Sequence, residues 1–291
     1  MANILVTGGT GFLGRHLVPK LESLGHKVFI SNTRQRSLEN IDLWDDIPKL
    51  DYIFHLACHT KAGDWCLHHS GEQWETNQVI NTNMLRYWRE HQSQAKMLAM
   101  GTSCSYSCDL PMVESNYMSG EPDEGLYTYA MTKRMLLQGL RAINKQYGLN
   151  YSYFIPSTLY GSGYDSEDKH FIFDLFRKIK NGVTGCPVTL WGDGNQRREL
   201  ITVGDAVNLM VQLMGTDSPI VNLSSGKDYS IKEYALEICK LLNYDPDSIS
   251  YDESKYVGVF RKNLNVDLIQ KLVPGFEFTS LTEGIKCLNQ S

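Results

Sequence analysis

A doubly wound α/β fold, in which helices cover both faces of a parallel sheet, is predicted by three features of this chain. A glycine-rich turn joins an apolar N-terminal run to a helix-like segment. Strand-like and helix-like segments then alternate over residues 2–160, and 291 residues suffice for one large domain or a core with a smaller one. We expect residues 1–160 to form a Rossmann domain, with returns to it near 200–225. Residues 161–291 would form most of a smaller, interleaved substrate-binding domain.

The composition is that of an ordinary globular protein. Hydrophobic residues make up 42% of the chain and charged residues 21%, and a net charge of −5 gives no basic footprint for nucleic acid. The seven cysteines contain no C-x-x-C pair, so neither a zinc site nor a disulfide framework is indicated. No apolar run approaches the ~18 residues of a membrane span, and the first strand pattern follows the N-terminus without a charged n-region and cleavage site, so we expect neither membrane insertion nor secretion. We expect a cytoplasmic protein without metal, nucleic-acid or membrane partners.

The glycine-rich turn has the pattern of a dinucleotide-binding site. Asn3–Thr7 predicts a strand, residues 15–24 a helix and residues 27–31 a second strand. Glycines let such a turn close tightly and let the backbone approach a pyrophosphate, which the N-terminus of the following helix attracts. The residues expected to contact the cofactor here are Gly8, Thr10, Gly11, Phe12, Leu13 and Gly14.

The end of the second strand favours NADP over NAD. An acidic residue there would bind the ribose 2′-hydroxyl of NAD, whereas arginine accommodates the extra phosphate of NADP. Residues 31–36 contain no acid and include Arg34, the preferred candidate, and Arg36, the alternate. Asp42 could approach the adenine, although a solvent-facing turn fits equally well. NADP(H) is therefore the expected cofactor, with NAD as the alternative.

Three side chains between residues 101 and 133 could together handle a proton at a carbonyl. Tyr129 and Lys133 are four residues apart on a predicted helix at 127–147, so the phenol and the ammonium share a face. A cation beside the phenol would lower its pKa from about 10 toward a useful value. Thr102, at the end of a predicted strand at 96–100, would hydrogen-bond the same substrate oxygen. Because Y-x-x-x-K also arises by chance on helices, the surrounding motifs must support this interpretation.

Other strand ends should reach the same edge of the sheet, where ligands of open parallel sheets bind. Strands predicted at 51–57 and 151–156 would bring Leu56, Ala57 and Pro156 to the cofactor. The remaining predicted elements are helices at 76–90, 170–180 and 203–214 and a strand at 219–223.

Together these motifs resemble the extended short-chain dehydrogenases/reductases that modify nucleotide sugars, and within them the GDP-L-fucose synthase family. The likeness runs from residue 4 to about residue 285. Besides the glycine turn and the Tyr129/Lys133 pair, it is carried by residues 101–106 (similar to Gly-Ser-Ser-Cys-Ile-Tyr), 156–161 (Pro-Thr-Asn-Leu-Tyr-Gly), 191–200 (Trp-Gly-x-Gly with Arg-Glu-Phe) and 258–266 (Gly-x-x-Arg-Lys-x-Leu-Asp-Val).

The resemblance implies an epimerising pair. In that family a cysteine two residues after the catalytic hydroxyl and a histidine at the start of a later helix act as base and acid, and these roles fall on Cys104 and His170. A carbon next to a C4 ketone is acidic enough for a thiolate to deprotonate, and an imidazolium can return the proton. A buried structural cysteine and a surface or capping histidine are the competing interpretations.

The resemblance also implies a GDP-linked 4-keto sugar as substrate. Arginine can bind two diphosphate oxygens at once, and an aromatic ring can stack on the base. The candidate substrate residues are Ser103, Thr158, Trp191, Arg197, Arg198, Lys255 and Arg261. Thr102 replaces the family's serine, Thr158 its asparagine, and residues 58–64 its Ala-Lys/Arg-Val-Gly-Gly, so the sugar could be a different hexose or heptose.

The sequence therefore predicts an NADP(H)-dependent nucleotide-sugar epimerase/reductase. The family's members commonly dimerise through a four-helix bundle, which the helices at 76–90 and 127–147 could supply. One alternative is a 4-epimerase or a C4 dehydrogenase/reductase without C3/C5 epimerisation. Another is a non-catalytic dinucleotide-binding sensor, against which the intact Tyr129 and Lys133 argue.

Overall fold

The computed structural model describes residues 1–32, 36–38, 41, 44, 46–61, 65–164, 170–255 and 259–289. Its strands are β1 (Asn3–Thr7), β2 (Lys27–Ser31), β3 (Tyr52–His55), β4 (Lys96–Met100), β5 (Tyr151–Pro156), β6 (Thr158–Tyr160), β7 (Val188–Trp191), β8 (Arg197–Thr202), β9 (Ile220–Leu223), β10 (Asp228–Ser230), β11 (Ile249–Asp252) and β12 (Arg261–Lys262). Its helices are α1 (Gly14–Ser23), α2 (Trp65–His68), α3 (Ser70–His91), α4 (Tyr127–Tyr147), α5 (Phe171–Gly182), α6 (Val203–Leu213), α7 (Ile231–Leu242), α8 (Asp267–Leu272) and α9 (Leu281–Leu288).

A six-stranded parallel sheet forms the centre of the fold and confirms the predicted doubly wound architecture. Its strand order is β2-β1-β3-β4-β5-β9. From β1 the chain goes to β2 on one side and then to β3 on the other, so the strand order reverses between β1 and β3. Open α/β sheets bind ligands at such a switch point, outside the carboxyl ends of the strands.

Two apolar layers cover the faces of this sheet. Trp88 of α3 and Leu137 of α4 belong to the layer on one face, and Leu17 of α1 and Met210 of α6 to the layer on the other. A separate apolar cluster, which includes Phe176, joins α5, α7 and α9. The sheet is thus buried on both sides, as its almost wholly apolar strands require.

Several predicted boundaries differ from the structure by one to six residues, and two of these differences have a local cause. β3 ends at His55 because the next two amide N–H groups, those of Leu56 and Ala57, donate to Thr7 Oγ1 (both 3.2 Å). Residues 56 and 57 therefore lie in the loop after the strand. α3 begins at residue 70, six residues earlier than predicted, in a polar turn anchored by buried Gln73, which bonds Thr60 Oγ1 at 3.1 Å.

The part of the chain after residue 160 is more regular than predicted. β8 pairs with β6, β10 and β12, and β7 pairs with β11. Capping boxes start α7 and α9, at Ser230 with Glu233 and at Ser280 with Glu283, and both are visible in the sequence as Ser-x-x-Glu. The division into two domains at residue 160 stays a prediction. Within the described residues, no helix is both long and apolar enough to cross a membrane.

Candidate active site

The turn after β1 is built so that only glycine fits at two places. Gly8 has φ +67°, and a Cβ there would lie 2.9 Å from the amide nitrogen of Ala57. A Cβ on Gly14 would lie 2.3 Å from the carbonyl oxygen of Gly8. The first turn of α1 therefore packs directly on the loop, and its N-cap residue, Leu13, caps no N–H group with its side chain. The close backbone approach and the helix N-terminus fit the diphosphate of a dinucleotide.

A buried polar network supports this turn from the next strand. Thr7 Oγ1 lies 2.8 Å from His55 Nδ1, and His55 Nε2 lies 3.1 Å from Asn81 Oδ1 on α3. Because Oγ1 already accepts two amide N–H groups, its own proton goes to Nδ1, and we assign the imidazole proton to Nε2. Burial lowers the pKa of His55 to about 4, so the ring is neutral. The network fixes Leu56 and Ala57, two predicted cofactor residues, beside the glycine turn.

A chain of hydroxyl groups holds Thr102 and Lys133 in a fixed relation. The amide N–H of Thr102 donates to Tyr117 Oη at 3.3 Å, Tyr117 Oη and Tyr153 Oη are 3.2 Å apart, and Tyr153 Oη donates to the carbonyl oxygen of Lys133 at 2.7 Å. Gly101 leaves room for the ring of Tyr153, since a Cβ at residue 101 would lie 2.5 Å from Tyr153 Cε1. The end of β4 and the second turn of α4 are thereby joined through the core.

Tyr129 lies beside Thr102, as predicted, but its pKa moves in the unexpected direction. Burial raises the pKa of Tyr129 well above its usual value, the thiols of Cys58 and Cys104 raise it further, and hydrogen bonding with Thr102 opposes this. Lys133 is not among these causes, whereas its charge contributes to lowering the pKa of His55, after burial. At neutral pH the phenol is therefore protonated. The expected lowering of this pKa by Lys133 is wrong for this arrangement, because burial is stronger.

Cys104 lies in the short 3₁₀ turn Ser103–Ser105 that follows Thr102. Thr102 Oγ1 accepts the amide N–H of Cys104 at 3.2 Å, and the thiol is partly buried. Lys262 Nζ on β12 donates to Cys104 Sγ at 3.5 Å. Arg261 is a substrate candidate from the sequence, whereas Lys262 beside it is not, and adjacent residues of a strand face opposite sides. The thiol that Lys262 meets lies 158 residues away in sequence, so the sequence does not show this contact.

His170 is the N-cap residue of α5 and is exposed. Its ring meets that of Phe173 edge-on at 6.3 Å, and Phe12 of the glycine turn meets the same Phe173 at 6.1 Å. α5 thus begins beside the cofactor turn. Arg15 and His16 of α1 also bond the carbonyl oxygens of residues 163 and 162, at 2.7 and 3.0 Å. The acid role of His170 stays a prediction.

The arginines proposed for the diphosphate have internal partners. Arg197 contacts Asp228 at 3.1 Å and Glu233 at 3.2 Å, and Arg261 also pairs with Asp228. Arg198 Nη1 donates to the carbonyl oxygens of residues 197 and 259, and burial lowers its pKa. These contacts tie β8, β10 and β12 together. To bind a diphosphate, these guanidinium groups would have to contact it in addition to their internal partners. This role stays a prediction.

The other substrate candidates differ in accessibility. Trp191 is 58% exposed at the end of β7, with Lys178 Nζ 5.9 Å from its ring. Ser103 is buried in the 3₁₀ turn, and Thr158 is partly buried on β6, where it pairs with Leu200. Lys255 contacts the chain through its amide N–H, which donates to the carbonyl oxygen of residue 252 at 3.4 Å. An exposed aromatic face at Trp191 is compatible with base stacking.

The cofactor candidates near the ends of the other strands also differ in their contacts. Pro156 ends β5. The next residue, Ser157, has a buried hydroxyl without a hydrogen-bond partner among the described residues, so this hydroxyl is available to a polar group of a ligand. Arg36 lies five residues beyond the end of β2, where it pairs with Asp46 and contacts the carbonyl oxygen of Ile30. Arg34 and Asp42 lie outside the described residues. No group of three or more metal-ligating side chains is present in the described ranges.

Comparisons with known proteins show the family of this chain. The sequence model of the "NAD dependent epimerase/dehydratase family" matches residues 4–231. GDP-L-colitose synthase of Yersinia pseudotuberculosis is 26% identical, with 92% of this chain and 91% of that protein covered. GDP-L-fucose synthase of Escherichia coli is 25% identical, with 92% and 90% covered.

Solved structures share the fold. A GDP-L-fucose synthetase from Naegleria fowleri bound to NADP superposes with a TM-score of 0.85 at 21% identity, covering 99% of this chain and 92% of that one. A GDP-6-OMe-4-keto-L-xylo-heptose reductase from C. jejuni has a TM-score of 0.85 at 19% identity, with 99% and 97% covered. Since the family match spans well over half of the chain and falls on the glycine turn and the sheet, the chain belongs to the NAD dependent epimerase/dehydratase family, as an enzyme of the extended short-chain dehydrogenase/reductase type that uses a nicotinamide dinucleotide.

Proposed function

We propose that this enzyme is an NADP(H)-dependent epimerase/reductase that acts on a GDP-linked 4-keto sugar. The observation that carries the proposal is the thiol of Cys104 beside Tyr129 and Thr102. Reduction at C4 needs the two hydroxyls but no thiol, whereas epimerisation next to C4 needs a base. The relatives named GDP-L-colitose synthase and GDP-L-fucose synthase support the choice of a GDP sugar.

In the reductase half, Thr102 and Tyr129 hydrogen-bond the C4 carbonyl oxygen. Because burial keeps the phenol protonated, Tyr129 can donate its proton to this oxygen. NADPH, when bound, supplies the hydride. Lys133 binds the nicotinamide ribose and stabilises the phenolate that remains on Tyr129 after proton transfer.

In the epimerase half, the Cys104 thiolate removes the proton from the carbon next to C4. The C–H bond breaks, an S–H bond forms, and the electron pair moves to the oxygen held by Thr102 and Tyr129. His170 then returns a proton to the opposite face of this carbon. The sugar loses one proton and regains one, so this half uses no hydride.

The preference for NADP rests on the end of β2. The segment from Ser31 to Arg36 contains no acid to bind the 2′-hydroxyl of NAD, and it ends in a guanidinium. Arg36 would have to share its pairing with Asp46 to meet a 2′-phosphate. Arg34, which the sequence favours, would then be the main contact. We expect a lower KM for NADPH than for NADH in steady-state assays.

Deuterium incorporation and NADPH oxidation test the proposal separately. With a GDP-4-keto-6-deoxy sugar in D2O, the enzyme should place deuterium at C3 or C5 and should oxidise NADPH. Cys104→Ala should lower incorporation by at least about 100-fold, as expected for loss of a catalytic base. Cys108→Ala, which removes an exposed thiol four residues along, is the matched control and should change neither activity.

Three outcomes would contradict the proposal. If Cys104→Ala retains full incorporation, the base is another group. If the enzyme incorporates no deuterium and consumes no NADPH while it interconverts C4 epimers, it is a 4-epimerase with tightly held cofactor. A protein that binds NADPH but turns over none of these sugars would instead fit a sensor.

A homodimer is proposed as the working form. α3 and α4 pack side by side and leave large apolar side chains exposed, among them Trp74 and Val79 on α3 and Met135 and Tyr147 on α4. Pairing of these helices with those of a second copy would cover this surface. Analytical ultracentrifugation should give twice the 33.1 kDa mass of the chain, and a monomer at micromolar concentration would refute this.

A further inference from the structure

β12 brings a positive charge to the thiol that the proposed reaction uses. Lys262 Nζ lies 3.5 Å from Cys104 Sγ, and both residues are partly buried. An opposite charge at this distance favours the ionised form of an acid, and only the thiolate can remove a proton from carbon.

The backbone around Lys262 is fixed on both sides. Arg261 and Lys262 pair with β8, and the amide N–H of Arg197 donates to the carbonyl oxygen of Phe260 at 2.8 Å. On the other side, the amide N–H of Leu264 donates to the buried carboxylate of Glu199 at 2.9 Å. Lys262 therefore extends from an ordered strand, so little backbone entropy opposes its contact with the thiol.

Lys262 is also separate from the neighbouring ion cluster. Arg261, one residue earlier, pairs with Asp228, while Lys262 faces the other side of the strand. Across the described ranges no carboxylate lies within ion-pair distance of Lys262, so its charge is not neutralised by one. Among the described residues, Tyr129 on α4 and Tyr117 also interact with Cys104, and burial raises the pKa of both phenols, which keeps them neutral at pH 7. The thiol of Cys58 acts on the same Tyr129.

We propose that Lys262 is the positioning residue that donates a hydrogen bond to Cys104 Sγ and stabilises the thiolate with which Cys104 deprotonates the carbon next to the ketone. This inference rests on the proposed function, because it takes Cys104 as the base. Lys262 itself touches neither bond that changes in that step.

Alkylation of the thiol tests the pairing without any sugar. The intact protein is treated with iodoacetamide over a range of pH, and modification of the peptide containing Cys104 is followed by mass spectrometry. In Lys262→Met, which keeps most of the apolar stem, we expect alkylation at pH 7 to be about tenfold slower and its pH profile to move up by about one unit. Lys262→Arg, which keeps the charge, should restore at least half of the wild-type rate.

Lys271→Met is the matched control, since it removes one positive charge from an exposed position on α8. Its alkylation profile should coincide with that of the wild type. Thermal unfolding of each variant shows whether it is folded. If Lys262→Met does not fold, Lys262→Gln and the salt dependence of wild-type alkylation replace it, because added salt weakens a partly exposed charge pair.

An unchanged Cys104 profile in Lys262→Met would overturn the inference. If the alkylation profile is unchanged and the KM for the sugar nucleotide is raised, Lys262 contacts the diphosphate only, and the inference is likewise overturned. A shifted profile supports the pairing, and a parallel loss of deuterium incorporation with retained NADPH oxidation supports its role in catalysis. If the wild type incorporates no deuterium, the proposed function fails, while the alkylation profiles still decide whether Lys262 controls the thiol.

Discussion

Acidification should destabilise the enzyme through His55, the buried imidazole beneath the cofactor turn. Its pKa is about 4 in the folded protein, because burial disfavours the imidazolium, and about 6.5 in an unfolded chain. As the pH falls, the unfolded chain therefore takes up this proton first. The contribution of His55 to stability is complete above about pH 6.5 and is lost progressively down to about pH 4. From the two pKa values, the loss is about 2 kcal/mol by pH 5 and about 3 kcal/mol by pH 4.

Paired denaturation curves isolate this contribution from those of other groups. Urea unfolding of the wild type and of His55→Gln is compared at about pH 7.5 and at pH 5. Between these pH values the unfolding free energy of the wild type should fall by about 2 kcal/mol more than that of His55→Gln, since glutamine does not titrate. His68→Gln, at an exposed position on α2, is the control and should follow the wild type. The reasoning is refuted if wild type and His55→Gln lose the same unfolding free energy between these pH values.

Three further substitutions test the site. Gly14→Ala should weaken NADPH binding, measured by calorimetry, by about 1–3 kcal/mol, because the added Cβ meets the backbone of the turn. Gly71→Ala is the control, since its Cβ points into open space, and it should bind NADPH as the wild type does. Equal NADPH affinities of Gly14→Ala and the wild type would contradict the argument. Tyr129→Phe should lower turnover by about 10²–10⁴-fold while NADPH affinity holds, and retained turnover would remove Tyr129 from the chemistry. Tyr153→Phe should lower kcat about tenfold and unfolding free energy by about 1–3 kcal/mol, since the carbonyl of Lys133 loses its donor. Tyr147→Phe, at an exposed position, is its control, and an unchanged kcat in Tyr153→Phe would refute the positioning role.

Local patterns were enough to predict the sheet and the position of its helices. The glycine spacing after Asn3–Thr7 places a tight turn and a helix at fixed positions, and both appear there. α4 was predicted from Tyr127 to Tyr147 because Gly148 follows, and that glycine has φ +72° and ends the helix. These features depend on residues close together in sequence, so the sequence shows them directly.

The charges of the site could not be predicted in the same way. Lys262 and Cys104 are 158 residues apart, and only the pairing of β12 with β8 brings them together. Asp228 forms ion pairs with both Arg197 and Arg261, although in the sequence each arginine looks available to bind an anion. The pKa of Tyr129 depends on how deeply the phenol is buried, which spacing along a helix does not encode.

The hydroxyl chain from Thr102 to Lys133 lies entirely among residues 102–153. Trp191, the residue proposed to stack on the base, and Lys262 belong to strands that contribute nothing to that chain. The hydroxyl chain behind the proposed reduction site and the proposed base-stacking ring are thus held by different parts of the fold. Substitution of Trp191 can therefore change nucleotide binding while the hydroxyl chain stays intact.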